Sequence, residues 1–277
     1  MGKVTQTGKD WTKRLFIDNP KLYLPFLMKG FSHVKDQAES LCLLCTELKI
    51  SSPMRILDLA CGIGGHSIFL AGMGHKLVGY DPSKFYIKKA RNLAKRQLGT
   101  NHNIRFISGS MLDATDILLK EGESNFDLII NMGQSVGFGS IDDDIRMFRR
   151  LLPLSKHNTF LLVEFQNLHW VIRNFQPNIF YQFANLELYE YWKFDLENSV
   201  FLNRSKYYER DDKTGNLKLI LDLKMPQRFY NPHELKSILL KAGWRFVKCY
   251  RSVKDPFPVT LDSMMPLAIS KNVLTTT

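Results

Sequence analysis

The residues best placed to do chemistry lie in one run, Ile56-Leu57-Asp58-Leu59-Ala60-Cys61-Gly62-Ile63-Gly64-Gly65-His66-Ser67, and at Asp81, nineteen residues after Gly62. Glycines in a turn from strand to helix let the backbone come close to a ligand at the carboxyl edge of a sheet. Asp81 closes the next apolar run, Lys76 to Tyr80, where an acid is suited to accept from the two hydroxyls of a ribose. Asp58 precedes the glycines. Beside a pyrophosphate it would set two like charges in a partly dry site, which is costly. A ligand with a sulfonium, an ammonium and no phosphate is favoured by the same charge. Ser67 also stands where a dinucleotide fingerprint has its third glycine. These features together point to S-adenosylmethionine (SAM) rather than NAD. The plainer alternative is that both acids cap strand ends or sit in solvated turns.

The elements that must position these residues alternate. Apolar runs over Met54–Ala60, Lys76–Tyr80, Ile104–Ile107, Phe126–Asn131 and Thr159–Phe165 predict buried strands. Helical patterns fall at Ser67–Ala71, Lys84–Gln97 and Asp142–Leu152. Strands alternating with helices imply a parallel, doubly wound α/β sheet joined by right-handed crossovers. Trp11 to Leu48 reads as helical, with Ser51-Ser52-Pro53 breaking it. After Asn167 the rhythm changes to aromatic-rich, partly alternating segments, Leu186–Tyr208 and Leu217–Arg228, around the turn signal Lys213-Thr214-Gly215-Asn216. That pattern predicts antiparallel strands. Asn231 as N-cap and Pro232 at the first position start a helix that runs to Lys241, and Trp244–Tyr250 is expected to be the last strand. The end, Thr275–Thr277, is expected to fray.

The glycine run resembles motif I of the class I SAM-dependent methyltransferases. The resemblance continues through Val78-Gly79-Tyr80-Asp81-Pro82-Ser83, Arg105 to Met111 and Phe126 to Asn131, and reaches Gln227–Leu235 and Ala242-Gly243-Trp244. It implies a Rossmann-like methyltransferase sheet with an N-terminal helical cap (1–50), a SAM-binding core (51–168), a β-rich lid insertion (169–228) and a core completion (229–277), in one catalytic domain. It implies that Asp58, Ala60, Gly62 and Gly64 hold the amino-acid part of SAM, that Asp81 holds the ribose, and that Gly109 to Met111 frame the adenine. Pro82, Ser83 and Asn131 join the cofactor set on the same grounds. Ser110 stands where the family usually carries Asp, and a neutral hydroxyl makes the weaker contact.

Methyl transfer from a sulfonium is an in-line displacement, so alignment matters more than any compulsory catalytic motif. The segment after the fourth strand, Asn131-Met132-Gly133-Gln134-Ser135, lacks the Pro-Pro pattern of base N-methylation, and no cysteine has the context of a C5 nucleophile. No metal is expected, because Asp142, Asp143 and Asp144 suit a helix N-terminus. The resemblance instead implies that the aromatic insertion covers the cofactor and forms an acceptor pocket. Tyr189, Tyr191, Trp192, Tyr207 and Tyr208 are the candidates to line it, chiefly Tyr191 and Tyr207, against the alternative that aromatics simply pack the insertion onto the core. His169 is a candidate base, and Gln134 and Asn131 are candidates to orient the acceptor. The expected function is methylation of N or O on a small molecule. RNA or protein methylation, or SAM binding without transfer, are the alternatives.

Composition agrees with a globular chain: 277 residues, 44% hydrophobic, Lys+Arg 38 against Asp+Glu 27 for a net charge of +11. The basic residues are spread rather than gathered in runs, which does not favour a nucleic-acid partner. An anionic small substrate would also suit the charge. No 18-residue apolar stretch implies a membrane partner, and Met1 to Lys13 lacks the apolar core of a secretory signal. Cys42 and Cys45 read as buried helix-face cysteines, so no disulfide framework is expected and the cytoplasm is the expected compartment.

Overall fold

A computed structural model describes residues 11–273; the expectation for Thr275–Thr277 and the first ten residues of the cap lie outside them. The N-terminal region is not one helix. It comprises a π-helical segment, Lys13–Asp18, then α1 (Leu24–Phe31) and α2 (Val34–Glu47). Pro20 follows Asn19, which leaves helical geometry at φ −127° and ψ 49°. The pyrrolidine ring disfavours a helical conformation in the residue before it, so the run breaks there.

The expected alternation follows as β1 (Arg55–Leu59), α3 (Gly65–Gly72), β2 (Lys76–Asp81), α4 (Lys84–Leu98), β3 (Ile104–Ser108), α5 (Ala114–Lys120), β4 (Phe126–Asn131), α6 (Ile141–Arg149) and β5 (Ser155–Glu164). Beyond it lie α7 (Leu168–Arg173), β6 (Asn178–Phe183), β7 (Leu186–Asp195), β8 (Val200–Arg210), β9 (Leu217–Gln227), α8 (Pro232–Lys241), β10 (Arg245–Tyr250) and β11 (Leu267–Lys271). Asn231 and Glu234 form a capping box at the start of α8, with Pro232 in its first turn.

The described strands form a seven-stranded sheet in the order β10-β11-β5-β4-β1-β2-β3 and a four-stranded sheet in the order β6-β7-β8-β9. In the larger sheet β3, β2, β1, β4 and β5 are parallel neighbours. The expectation that the strand at Trp244–Tyr250 is the last one is corrected: β11 follows it and inserts antiparallel between β5 and β10. Its five residues are four-fifths buried and follow an irregular stretch, so neither alternation nor a turn signal marks it.

Side chains alternate across the sheet. On β1, Leu57 and Leu59 face a core shared with Phe148 of α6 and Leu235 and Leu239 of α8, while Ile56 faces a core shared with Ala38, Leu41 and Cys45 of α2. Parallel strands covered on both faces require such continuous apolar runs. Asp58 interrupts the run, and a hydrogen-bonded carboxylate there needs a specific partner on α3. The smaller sheet packs its inner face on the N-terminal segment, with Trp11, Leu15 and Leu22 against Leu188, Tyr207 and Leu223.

The turn from β1 to α3 is the least replaceable part of this frame. Gly64 has φ +79°, and a Cβ there would lie 2.8 Å from the Phe106 ring and 3.0 Å from Ala90 Cβ. Gly64→Ala combines a disfavoured left-handed backbone with overpacking, and is expected to cost about 2 kcal/mol or more of folding stability. Urea unfolding checks this; a loss below about 0.5 kcal/mol, typical of a surface change, would contradict it.

Candidate active site

The site begins at the carboxyl ends of β1, β2 and β4. The chain leaves β1 through Ala60 (φ 60°) and Gly62 (φ 55°), which turns the Gly62 N–H toward β2. There it donates to Asp81 Oδ2 at 2.9 Å, while Ser83 N donates to Oδ1 at 2.8 Å. Ser83 in turn caps α4, its hydroxyl accepting from Tyr86 N. One level deeper, Asp58 Oδ2 accepts from the Ser67 hydroxyl at 2.7 Å and from Ser67 N at 3.1 Å. These two buried acids hold the glycine turn from both sides.

Above the turn lies a cavity of ≈ 420 Å³, within the range usual for a small-ligand site. Among the expected cofactor residues, Ala60, Gly62, Asp81, Pro82, Ser110 and Met111 line it. Asp58, Gly64, Ser83 and Asn131 do not. Asp58 is 2% exposed and engaged by Ser67, so it braces the turn from behind. Gly64 sits against Phe106. Asn131 is fully buried, with Nδ2 donating to Leu59 O at 3.0 Å, and so ties β4 to the end of β1.

Burial dominates the electrostatics. It pushes the Asp81 carboxyl up to about 6, against the hydrogen bonds from Ser83 and Gly62. It pushes Asp58 up to about 7, with the Asp81 charge adding and the Ser67 bonds opposing. Asp144 also lines the cavity and is raised to about 6, chiefly by burial; it accepts from Tyr230 Oη at 2.7 Å and Gly137 N at 2.9 Å. Asp143, which closes the capping box of α6 with Ser140, lines the same wall. The wall therefore carries Asp81 and Asp144 against one lysine, Lys13, with Asp143 already paired to Arg146 at 2.7 Å, and suits a cationic ligand.

A second cavity of ≈ 640 Å³ lies under the inner face of the smaller sheet and shares Phe16, Tyr23, Gln134 and Phe138 with the first. Tyr207 and Trp192 line it. Tyr191 is corrected: it is 43% exposed, lines neither cavity and stacks under Lys206 on the outer face. Tyr189 and Tyr208 pair on that outer face too. Strand parity decides this, since Leu188, Glu190 and Trp192 share one face of β7 and Tyr189 and Tyr191 the other. His169 is also corrected. It is exposed at the start of α7 and lines neither cavity, whereas its neighbour Trp170 faces the second one. Gln134 lines both cavities, but its amide bridges two backbone segments, donating to Val136 O at 3.0 Å and accepting from Gln166 N at 2.5 Å. The anionic acceptor suggested by the net charge meets no Lys, Arg or His among the residues lining the second cavity.

Comparison with known proteins agrees with this geometry. Residues 50–176 match the family model described as a methyltransferase domain. The fold is similar to that of an S-adenosylmethionine-dependent methyltransferase from Clostridium acetobutylicum, with a TM-score of 0.70 and 16% identity over 86% of this chain and 91% of that one. It is also similar to the sugar N-methyltransferase KedS8 from Streptoalloteichus, with a TM-score of 0.63 and 14% identity over 90% of this chain and 92% of that one. A curated relative, an uncharacterized RNA methyltransferase from Geobacter sulfurreducens, is 33% identical over 75 residues, which is 27% of this chain and only 14% of that protein. Residues 50–176 therefore resemble a methyltransferase domain, on a fold similar to those of SAM-dependent methyltransferases.

The sequence offered little warning of what covers this site. Thr12, Lys13, Phe16, Ile17, Tyr23 and Leu27 line the first cavity from the N-terminal segment. Their helices are broken by Asn19-Pro20, so no sustained periodicity marks an inward face. Phe138, on the loop after β4, packs edge-on to Trp11 at 5.0 Å and closes the same wall.

The raised acids make ligand-free stability depend on pH. Folded Asp58, Asp81 and Asp144 hold protons at pH values where the unfolded chain has lost them. Their contribution is full below the ordinary carboxyl value of about 4 and is lost as pH rises through about 6 to 7. The ligand-free protein is expected to melt at a higher temperature near pH 5.5 than near pH 7.5. Asp58→Asn keeps an acceptor for Ser67 without a charge and should shrink that difference. Scanning calorimetry at the two pH values checks it, and an undiminished difference in the variant would contradict the assignment.

Proposed function

We propose that the chain transfers a methyl group from SAM to nitrogen or oxygen of a small-molecule acceptor. The observation that carries the reading is the pair of adjoining cavities. One is walled by the glycine turn and acids, the other by aromatic side chains, and they meet at Phe16, Tyr23, Gln134 and Phe138.

SAM fits the first cavity chemically. Each Asp81 oxygen receives one backbone N–H and keeps a lone pair for a ribose hydroxyl. Ala60 and Gly62 present backbone beside it, Asp144 supplies negative charge, and Ser110 and Met111 border the far end. Bound there, SAM supplies an electrophilic methyl group on a positively charged sulfur. The protein's part is to hold the acceptor in line and keep water out. In this reading residues 169–228 form the lid, with Trp192 and Tyr207 on its acceptor-facing side. Trp170 walls the chamber from α7, and the Gln134 amide fixes the loop at the junction. Phe201 and Phe229, 4.9 Å apart between ring centroids, seat the lid on the core together with Leu168.

A small acceptor is supported by the second cavity being walled by the lid rather than presented as a flat, basic face. The sugar N-methyltransferase among the structural neighbours supports the same substrate class. The short match to an RNA methyltransferase covers too little of that protein to favour its substrate.

Asp81→Asn removes a charged acceptor while leaving a neutral one, and SAM affinity is expected to fall about tenfold. Titration calorimetry measures it directly, and an unchanged affinity would contradict the ribose placement. Incubation of the protein with methyl-labelled SAM and a fractionated cell extract should place the label in the small-molecule fraction. Label confined to RNA or protein would overturn the acceptor class.

A further inference from the structure

The acceptor chamber has one charged side chain among its lining residues, Glu190 of β7. Its carboxylate is held by three neutral donors. Asn203 Nδ2 and the Ser205 hydroxyl each donate to Oε1 at 3.1 Å, and Trp192 Nε1 donates to Oε2 at 3.2 Å. Among the described residues no Lys, Arg or His forms an ion pair with it, although other acids on the same sheet are paired, Glu187 with Arg210 and Asp222 with Arg204. A partly buried carboxylate with donors but no counter-ion keeps an uncompensated charge, which is costly unless a ligand supplies the opposite sign.

A second, independent feature points the same way. Asn203 lines the chamber, is 3% exposed, and its Oδ1 has no hydrogen-bond partner. The amide cannot be turned round to cure this, because Oδ1 would then face the Glu190 carboxylate and both would be acceptors. The Glu190 carboxylate thus lines the chamber, and behind it the buried Asn203 carbonyl oxygen is left without a donor. Around them stand aromatic faces, among them Tyr23, Tyr181, Trp170 and Trp192. Such faces attract an organic cation and repel an anion. The Tyr23 and Tyr181 hydroxyls are pushed up first by burial and next by the Glu190 charge, so that charge is felt across the chamber.

We propose that this chamber takes a small organic amine, its ammonium group anchored on the Glu190 carboxylate and its body packed on the aromatic walls. This rests on the methyltransferase reading above and names the acceptor's chemical class. Glu190 is here a specificity residue for binding the acceptor. It lines the second cavity and not the first, so SAM binding does not depend on it.

Three probes share one aromatic body and differ in a single group: tyramine with an amine, 2-(4-hydroxyphenyl)ethanol with a hydroxyl, and 4-hydroxyphenylacetate with a carboxylate. Their binding to the full chain saturated with S-adenosylhomocysteine is measured by calorimetry. Tyramine is expected to bind at least about tenfold more tightly than the alcohol, as a charge-assisted hydrogen bond warrants, and the carboxylate more weakly still. Glu190→Gln, which keeps the size and one acceptor, should abolish the amine preference. S-adenosylhomocysteine affinity, measured in the same variant, should stay at the wild-type value and so shows that the protein is folded. Tyramine binding no tighter than the other two, or a preference that survives Glu190→Gln, overturns the amine assignment. Failure of the wild-type protein to bind S-adenosylhomocysteine would instead overturn the reading of the first cavity.

Discussion

The hydrogen bond from Gly62 N to Asp81 Oδ2 ties the end of β1 to the end of β2, and the site is arranged around it. It is possible because Ala60 and Gly62 both take positive φ and turn the backbone across the sheet edge. The Asp58 carboxylate then holds the start of α3 through Ser67, from the opposite side of the same turn. Burial raises the proton affinity of both acids, and the Asp81 charge raises that of Asp58 further. A cationic ligand above them relieves that strain on the charge. Stability without ligand and affinity for a cationic ligand therefore draw on the same two carboxylates in opposite directions.

The acceptor chamber depends on a different join. The smaller sheet does not pack on the seven-stranded sheet alone; its inner face closes on Trp11, Leu15 and Leu22. The same N-terminal segment lines the cofactor cavity through Lys13, Phe16 and Ile17. One stretch of chain thus walls both cavities, and Phe16 and Tyr23, 5.2 Å apart and edge to face, stand at the boundary.

How much of this was legible in the sequence depended on the kind of signal. The β1 turn and Asp81 were legible because a glycine turn between an apolar strand and a helix has few other uses, and the parallel half of the sheet followed from alternation. Asp58 is legible as an acid at the end of β1, but spacing does not tell whether a carboxylate faces a cavity or the helix beside it. Tyr191 and Trp192 are adjacent, and composition alone made both candidates; the parity of β7 puts only Trp192 inside. A lone glutamate among aromatics in an alternating strand, such as Glu190, looks like a solvated position. Its meaning comes from Asn203 and Ser205 on the neighbouring strand, a pairing that register creates and sequence does not display. The N-terminal lining and β11 were missed for the same reason, since both gain their roles from long-range contacts.

In the proposed function the two cavities meet where the methyl group is delivered. A crystal structure with bound S-adenosylhomocysteine tests it most directly. The account predicts the ribose hydroxyls on Asp81 and the sulfur facing the second cavity, bordered by Tyr23, Gln134 and Phe138. A sulfur pointing to solvent, or walled off from the chamber beneath β6–β9, would contradict it.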